Sequence, residues 1–331
     1  MGDIVLTTPI VRNIKNHYKD AEIDFLAGSQ FIEIIKYNPY ITKIIEYDKS
    51  LNLREILKYK DDLIKHNNNK KYDIVIDLQN NLRSRIFRFG LGRKVFSIKK
   101  NRIYKLCLVH CKRKISTKFS HIVQNYKKSY KALNITDDEF GLELWLPEDL
   151  SDNNYIHDRD SKGKPTLKIG IAPGAFHFTK RYPIEKYIEL IKKLKDSFNC
   201  QIEMIGGKAD EQICNQIYSS CSSFIESVYI STSISNSARI INSFDLLITN
   251  DTGVMHIAAA RKVPIVAIFG STSTDFGFTP YKVKYEVVEQ DVSCRPCSHI
   301  GRKKCPKKHF NCMNQINTDD IILAVKSMIQ T

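Results

Sequence analysis

Residues 245–271 read Asp-Leu-Leu-Ile-Thr-Asn-Asp-Thr-Gly-Val-Met-His-Ile-Ala-Ala-Ala-Arg-Lys-Val-Pro-Ile-Val-Ala-Ile-Phe-Gly-Ser. Leu246 to Thr249 is a short apolar run without charge, the pattern of a strand buried on both faces. Asn250 to Gly253 is a turn cluster, and Val254 to Ala260 favours helix up to the stop at Pro264. Val263 to Phe269 is a second buried strand, ended by Gly270-Ser271. A strand, a helix and a strand in this order form a βαβ unit, so the sheet is expected to be parallel. The turn offers a carboxylate, a hydroxyl, a glycine and free backbone N–H groups at a helix N-terminus. Such a turn suits a phosphate at the carboxyl edge of an α/β sheet. The competing reading is that Asp251 or Thr252 only caps the helix.

The chain of 331 residues is long enough for two domains, and 42% hydrophobic residues supply their cores. No apolar run approaches the roughly 18 residues a membrane span needs. The start, Met-Gly-Asp-Ile-Val-Leu, lacks the basic head and apolar core of a signal peptide. These features predict a cytoplasmic protein whose nine cysteines are mostly reduced. The net charge is +15, and it is uneven. Between Asp77 and Asp137 lie 16 Lys and Arg and no acid. A one-sign field of that length points to an anionic partner, whether nucleic acid, lipid surface or phosphorylated substrate. An ordinary basic surface is the plainer alternative.

Outward from the opening stretch, the chain alternates strands and helices. Ile10, Ile14 and Tyr18 fall near helical spacing. Strands are expected over Ala21 to Leu26, Ile41 to Tyr47, Tyr72 to Leu78 and Val95 to Ile98. A helix is expected over Phe31 to Tyr37, an amphipathic one over Leu51 to His66, and another over His121 to Leu133. Arg83, Arg85 and Arg88 alternate with apolar residues. Lys99 to Lys118, with Lys99, Lys100 and Arg102 at its start, reads as a basic, partly amphipathic excursion that can lie on an anionic membrane. Trp145 to Lys164 is polar and irregular, and marks a domain linker. The pattern restarts with a strand over Leu167 to Ala172, then Pro173-Gly174-Ala175. A helix over Pro183 to Asp196, a strand over Gln201 to Ile205, a turn at Gly206-Gly207 and a helix over Asp210 to Tyr218 follow. A last amphipathic helix spans Thr318 to Ile329. The architecture expected is α/β: two Rossmann-like domains, 1–150 and 151–331, facing a central cleft.

Lys180-Arg181-Tyr182-Pro183 follows Pro173-Gly174-Ala175, with Thr179 just before it. Proline starts a helix there, so Lys180 and Arg181 sit on the entry loop, where a cation can hold a diphosphate. A solvated basic pair is the alternative.

Taken together, Gly2-Asp3-Ile4-Val5-Leu6-Thr7-Thr8-Pro9, Pro173-Gly174-Ala175, Lys180-Arg181-Tyr182-Pro183, Gly206-Gly207, Asn250 to His256 and Phe269-Gly270-Ser271 form a pattern. In order and spacing it resembles the bacterial lipopolysaccharide heptosyltransferases, glycosyltransferase family 9, which have the GT-B fold. The resemblance covers nearly the whole chain. It implies an inverting transferase that needs no metal or other cofactor and moves heptose from ADP-heptose to an inner-core or related glycolipid acceptor. The donor would lie in the C-terminal domain and the acceptor in the N-terminal one. Asp3 matches the general base and Lys180 the lysine on the donor phosphates. Asp251, Thr252, Gly253 and His256 match the donor loop, and Asp210 or Glu211 the acid on the ribose. For His256, a packed helix histidine is the alternative. Arg83, Arg85, Arg88, Lys99, Lys100 and Arg102 would face the acceptor or the cytoplasmic face of the inner membrane, where the protein would associate peripherally.

Chemistry is consistent with these roles. A hydroxyl is a weak nucleophile, so a placed carboxylate must take its proton. The departing nucleoside diphosphate gains negative charge, which a lysine and helix N–H groups can stabilise. Family members usually carry an apolar strand before the Gly-Asp pair; here only Met1 precedes it, so the first strand is expected to be missing and Asp3 to be poorly held.

Cys294, Cys297, Cys305 and Cys312, with His299 and His309 between them, offer a zinc option; loop packing or free thiols are the alternative. Cys107, Cys111, Cys200, Cys214 and Cys221 read as core or neutral positions. Two rival functions stand beside the transferase: a catalytically impaired sugar-nucleotide binder, and a basic nucleic-acid-binding protein. Against the second, the basic residues form no recognisable DNA or RNA module.

Overall fold

A computed structural model describes residues 1–112, 120–151 and 166–330. The first part contains α1 (Gly2–Val5), α2 (Thr8–His17), β1 (Asp24–Gly28), β2 (Lys43–Tyr47), α3 (Leu53–His66), β3 (Tyr72–Asp77), α4 (Leu82–Arg88), β4 (Gly92–Ser97), α5 (Arg102–His110), α6 (Ile122–Ser129) and α7 (Pro147–Ser151). β1 pairs with β2 and β3 with β4, both in parallel, as two separate two-stranded sheets. Tyr72 Oη bridges them by donating to Asp24 Oδ2 at 2.5 Å. Asn52 starts α3 with a capping box: its side chain accepts from Glu55 N, and Glu55 accepts from Asn52 N.

Two local expectations are corrected. Phe31 to Tyr37 is not an α-helix; a 3-10 segment covers Ser29–Ile34. The run is short and rich in β-branched isoleucine, and burying Ile34 and Ile35 decides its path. The linker from Trp145 to Lys164 starts inside the structure, with Trp145 and Leu146 buried and α7 behind them. Residues 152–164 of it lie outside the described residues.

The second part contains β5 (Leu167–Ala172), α8 (Ile184–Ser197), β6 (Cys200–Gly206), α9 (Glu211–Cys221), β7 (Ser227–Ile230), α10 (Ile234–Asn242), β8 (Leu246–Asn250), α11 (Gly253–Ala260), β9 (Ile265–Phe269), β10 (Tyr285–Glu289), α12 (Asn311–Asn314) and α13 (Thr318–Gln330). Six parallel strands lie in the order β10-β9-β8-β5-β6-β7. The order reverses between β5 and β8, and a doubly wound sheet opens its ligand crevice at such a reversal.

Strand periodicity explains the layers. Leu246, Ile248, Val266 and Ile268 face one core, built with α8, α9 and α13. Leu247, Ile265, Ala267 and Phe269 face the other, built with α10 and α11. That second core continues across α11 to Val5, Leu6, Ile34 and Ile35, and to Leu142, Leu144 and Leu146. α11 is therefore sandwiched between the sheet and the N-terminal part. Its small residues, Ala258, Ala259 and Ala260, permit the close approach, and all three are fully buried.

Segment 138–149 crosses between the parts and is gripped from both. Arg12 of α2 donates to Asp138 and to Gly141 O, and pairs with Glu143. Arg261, behind α11, donates to Asp149 Oδ2 at 2.6 Å and to Leu144 O at 2.9 Å.

Candidate active site

The reversal point brings together loops that are distant in sequence. After β5 comes Pro173-Gly174-Ala175, and β8 ends on Asn250 and runs into Asp251-Thr252. Asn250 ties them together: its Nδ2 donates to Pro173 O at 2.8 Å, and its Oδ1 accepts from Tyr182 N at 3.2 Å. The entry loop of α8 is thereby fixed as well. Lys180 then reaches Asp251, Nζ to Oδ2 at 2.6 Å. The same Oδ2 accepts from Thr272 Oγ1 at 2.8 Å, on the loop after β9. Lys180 and Asp251 are both largely shielded from solvent.

The helix that starts here is not capped by a side chain. Thr252 stands at the N-cap of α11, yet its hydroxyl makes no capping bond and is buried without a partner. Asp251 is occupied by Lys180 and Thr272. The capping-only alternative is therefore not what the geometry shows. A buried hydroxyl without a partner costs about 1–3 kcal/mol, and a bound acceptor group would remove that cost.

His256 lies one turn into α11 and is buried, with Nδ1 unpartnered. Burial holds its imidazole down at about 3, aided by Lys180 and opposed by Asp251. It is neutral at physiological pH. Gly2 packs on this ring: a Cβ there would stand 2.7 Å from His256 Cδ2. Gly253 in turn lies against Met1 and Gly2 N. α1 thus roofs the loop, and it carries Asp3, whose side chain is exposed.

The remaining expected donor residues fall into two groups. Asp210 lies beside the crevice: it accepts from Gly207 N at 3.0 Å, and a Cβ on Gly174 would collide with its carboxylate. Glu211 is exposed. Thr179 and Arg181 shape the loop. Thr179 is buried, accepts from Arg302 N at 2.8 Å and from Ser271 Oγ at 2.9 Å. Arg181 Nε turns back to Ala175 O at 2.7 Å.

Sequence reasoning missed Thr272, which orients Asp251, and Arg295, whose Nε donates to Gly270 O and Thr272 O. Nothing in local sequence marks them. Asn250 lies in the turn cluster that the sequence marks, although the strand β8 extends to include it.

The acid-free segment divides by function. Arg83, Arg85, Lys99, Lys100 and Arg102 are exposed. Arg88 is not part of that surface: it turns inward to Asp77 Oδ2 at 3.0 Å. Lys105 lies over the Phe278 ring, Lys112 donates to Pro296 O, and Lys127 pairs with Asp137. His121 accepts from Val123 N, contacts Thr279 O, and stacks on Tyr281. Part of the basic run therefore fastens α5 and α6 to the C-terminal part. Leu82, Phe89 and Ile103 are strongly exposed beside the outward cations. Arg113, Lys114 and Lys118 lie outside the described residues. Among the described residues no helix is long and apolar enough to cross a membrane.

The four loop cysteines are free. Cys294 Sγ lies 3.7 Å from His309 Nε2, and burial pushes the Cys312 thiol up to about 12. Among the described residues no three His, Cys, Asp or Glu side chains are gathered to hold a metal ion. The zinc option finds no ligand cluster; the loop packs on Lys180 through Gly301.

The pattern of glycosyltransferase family 9 (heptosyltransferase) matches residues 62–309. Lipooligosaccharide heptosyltransferase 2 of Campylobacter jejuni serotype O:2 is 27% identical over 336 aligned residues, covering 100% of this chain and 96% of that protein. The fold superposes on Escherichia coli ADP-heptose LPS heptosyltransferase II with a TM-score of 0.71 at 21% identity, covering 99% of this chain and 95% of that one. It superposes on E. coli heptosyltransferase WaaC with ADP-2-deoxy-2-fluoro heptose at a TM-score of 0.65 and 17% identity, covering 99% and 96%. The fold is thus GT-B, and the chain belongs to glycosyltransferase family 9, the heptosyltransferases.

Proposed function

We propose that this glycosyltransferase transfers heptose from ADP-heptose to a lipopolysaccharide inner-core or related glycolipid acceptor, with inversion and without a metal. One observation carries the reading. Lys180, Asp251, the free Thr252 hydroxyl and the start of α11 converge at the strand-order reversal, directly beneath the helix that bears Asp3. The names of the similar proteins support the donor and the acceptor class.

In this reading residues 151–331 bind the donor and 1–150 the acceptor. Lys180 and the N–H groups of α11 stabilise the leaving diphosphate. Asp210 or Glu211 holds the ribose, and neutral His256 supplies Nδ1 or Nε2 to the donor. Asp3 removes the acceptor proton. Arg83, Arg85, Lys99, Lys100 and Arg102 meet the anionic acceptor at the inner membrane's cytoplasmic face.

The test is transfer from ADP-heptose to heptose-deficient lipopolysaccharide, in EDTA. Asp3→Asn should keep ADP affinity and lose at least about a hundredfold in kcat, the scale of a general base. An active Asp3→Asn variant moves the base elsewhere, and a strict Mg²⁺ requirement removes the metal-free mechanism.

A further inference from the structure

Glu33 is a carboxylate outside the site whose contacts the chemistry above does not use. It belongs to the 3-10 segment Ser29–Ile34 of the N-terminal part, yet its partners begin 201 residues later. Oε2 accepts from Ile234 N and Oε1 from Ser235 N, each at 2.9 Å. These are the first two N–H groups of α10. The N-cap Ser233 serves only the third, accepting from Asn236 N at 3.1 Å. A helix leaves its first N–H groups unpaired, and a carboxylate there also meets the positive end of the dipole. The N–H bonds hold the Glu33 carboxyl below its ordinary range against the opposing effect of burial.

The placement matters for the site. Ile34 and Ile35, next to Glu33, share one core with Val5 and Leu6 beside Asp3, and with Ala238 and Ile241 of α10. The loop into α10 follows β7 at the carboxyl edge, where Ser231 N donates to Gly206 O. Other ties hold other segments: Lys112 and His121 fasten the ends of α5 and α6 to the C-terminal part, and Arg239 of α10 pairs with Glu148 of α7. Arg261–Asp149 and Arg12–Glu143 are buried and grip the crossing segment itself. Glu33 makes its link from a partly exposed position, through one side chain and no covalent neighbour.

We propose that Glu33 is a positioning residue for transfer: its carboxylate latches the acceptor half to the start of α10 and so holds the Asp3 helix over the donor loop. This rests on the assignment of Asp3 and Lys180 given above. Opening the latch leaves Ile234 and Ser235 N–H to water and lets α1 lift from His256.

The experiment compares wild type, Glu33→Ala and Glu33→Gln by heptose transfer, ADP calorimetry, melting temperature and small-angle scattering. Glu33→Ala should lose about tenfold in kcat while ADP affinity stays within about twofold, the pattern of a lost closure contact. Its melting temperature should stay within about 2 °C, and its radius of gyration with ADP should exceed that of wild type. Glu33→Gln keeps one acceptor oxygen and should recover part of the kcat. Unchanged kcat, an unchanged radius of gyration, or a loss of kcat in step with ADP affinity and melting temperature overturns the latch. Failure of wild type to transfer heptose would sink the functional reading instead, and the scattering comparison would still test the latch.

Discussion

Lys180 offers the sharpest test, because the structure gives it two separable roles. In the free protein it neutralises Asp251 at 2.6 Å; in the proposed complex it holds the donor diphosphate. Lys180→Ala removes both. A hydrogen bond to a charged group contributes about 1.5–3 kcal/mol, or roughly ten- to a hundredfold in ADP affinity. Asp251 would then keep only Thr272 Oγ1. Its uncompensated charge would repel the diphosphate by about 1 kcal/mol more, taking a separation near 6 Å and an effective dielectric between protein and water. The expected loss is therefore at least about seventyfold. Asp251→Asn separates the roles, since it removes the charge and keeps the volume. If Lys180 grips phosphate, the double variant Lys180→Ala/Asp251→Asn recovers only the repulsion and stays at least about tenfold weaker than wild type. Calorimetry with ADP on wild type, both single variants and the double variant reads all four corners. A double variant that binds ADP as wild type does would show that Lys180 only neutralises Asp251.

Thr252→Val deletes a buried hydroxyl that has no partner, so melting temperature should hold or rise while ADP affinity falls about fivefold or more; a clear drop in melting temperature would mean the hydroxyl is already bonded. Acid should destabilise the fold through two histidines. Burial depresses His256 to about 3 and His121 to about 4, below the unfolded value, so the unfolded chain takes up protons that the folded one refuses. Stability should be flat above pH 6.5 and fall below it by roughly 1.4 kcal/mol per pH unit for each histidine, until their folded values are reached. Urea unfolding at pH 7.5, 6.5 and 5.5 checks this, and His256→Asn should remove about half the slope. The outward cations Arg83, Lys99, Lys100 and Arg102 should bind anionic vesicles at about 1 kcal/mol each near the surface, with binding that weakens in salt. Equal binding to neutral vesicles would leave them as a plain solvated surface.

The sequence by itself determined the parts whose environment is uniform. β8 and β9 are buried on both faces, so they appear as unbroken apolar runs, and the helix between them was fixed by its turn and by Pro264. Edge elements were not legible for the opposite reason. β7 is four half-buried residues, β10 carries glutamate at two of its five positions, and α10 carries a narrow apolar stripe among Ser and Asn. The turn at Asp251 suits a phosphate, but the sequence left open whether its side chains merely capped α11. Tertiary structure decided that, because strand order sets β5 beside β8 and lets Lys180 and Thr272 take Asp251 while Thr252 goes unpartnered. The excess of cations was plain from composition. Which of them turn inward, as Arg88, Lys105 and Lys127 do, depends on partners elsewhere in the fold. Glu33 is the extreme case: its meaning lies in two N–H groups about 200 residues away, and no local pattern can encode a contact that exists only once both parts have folded and met.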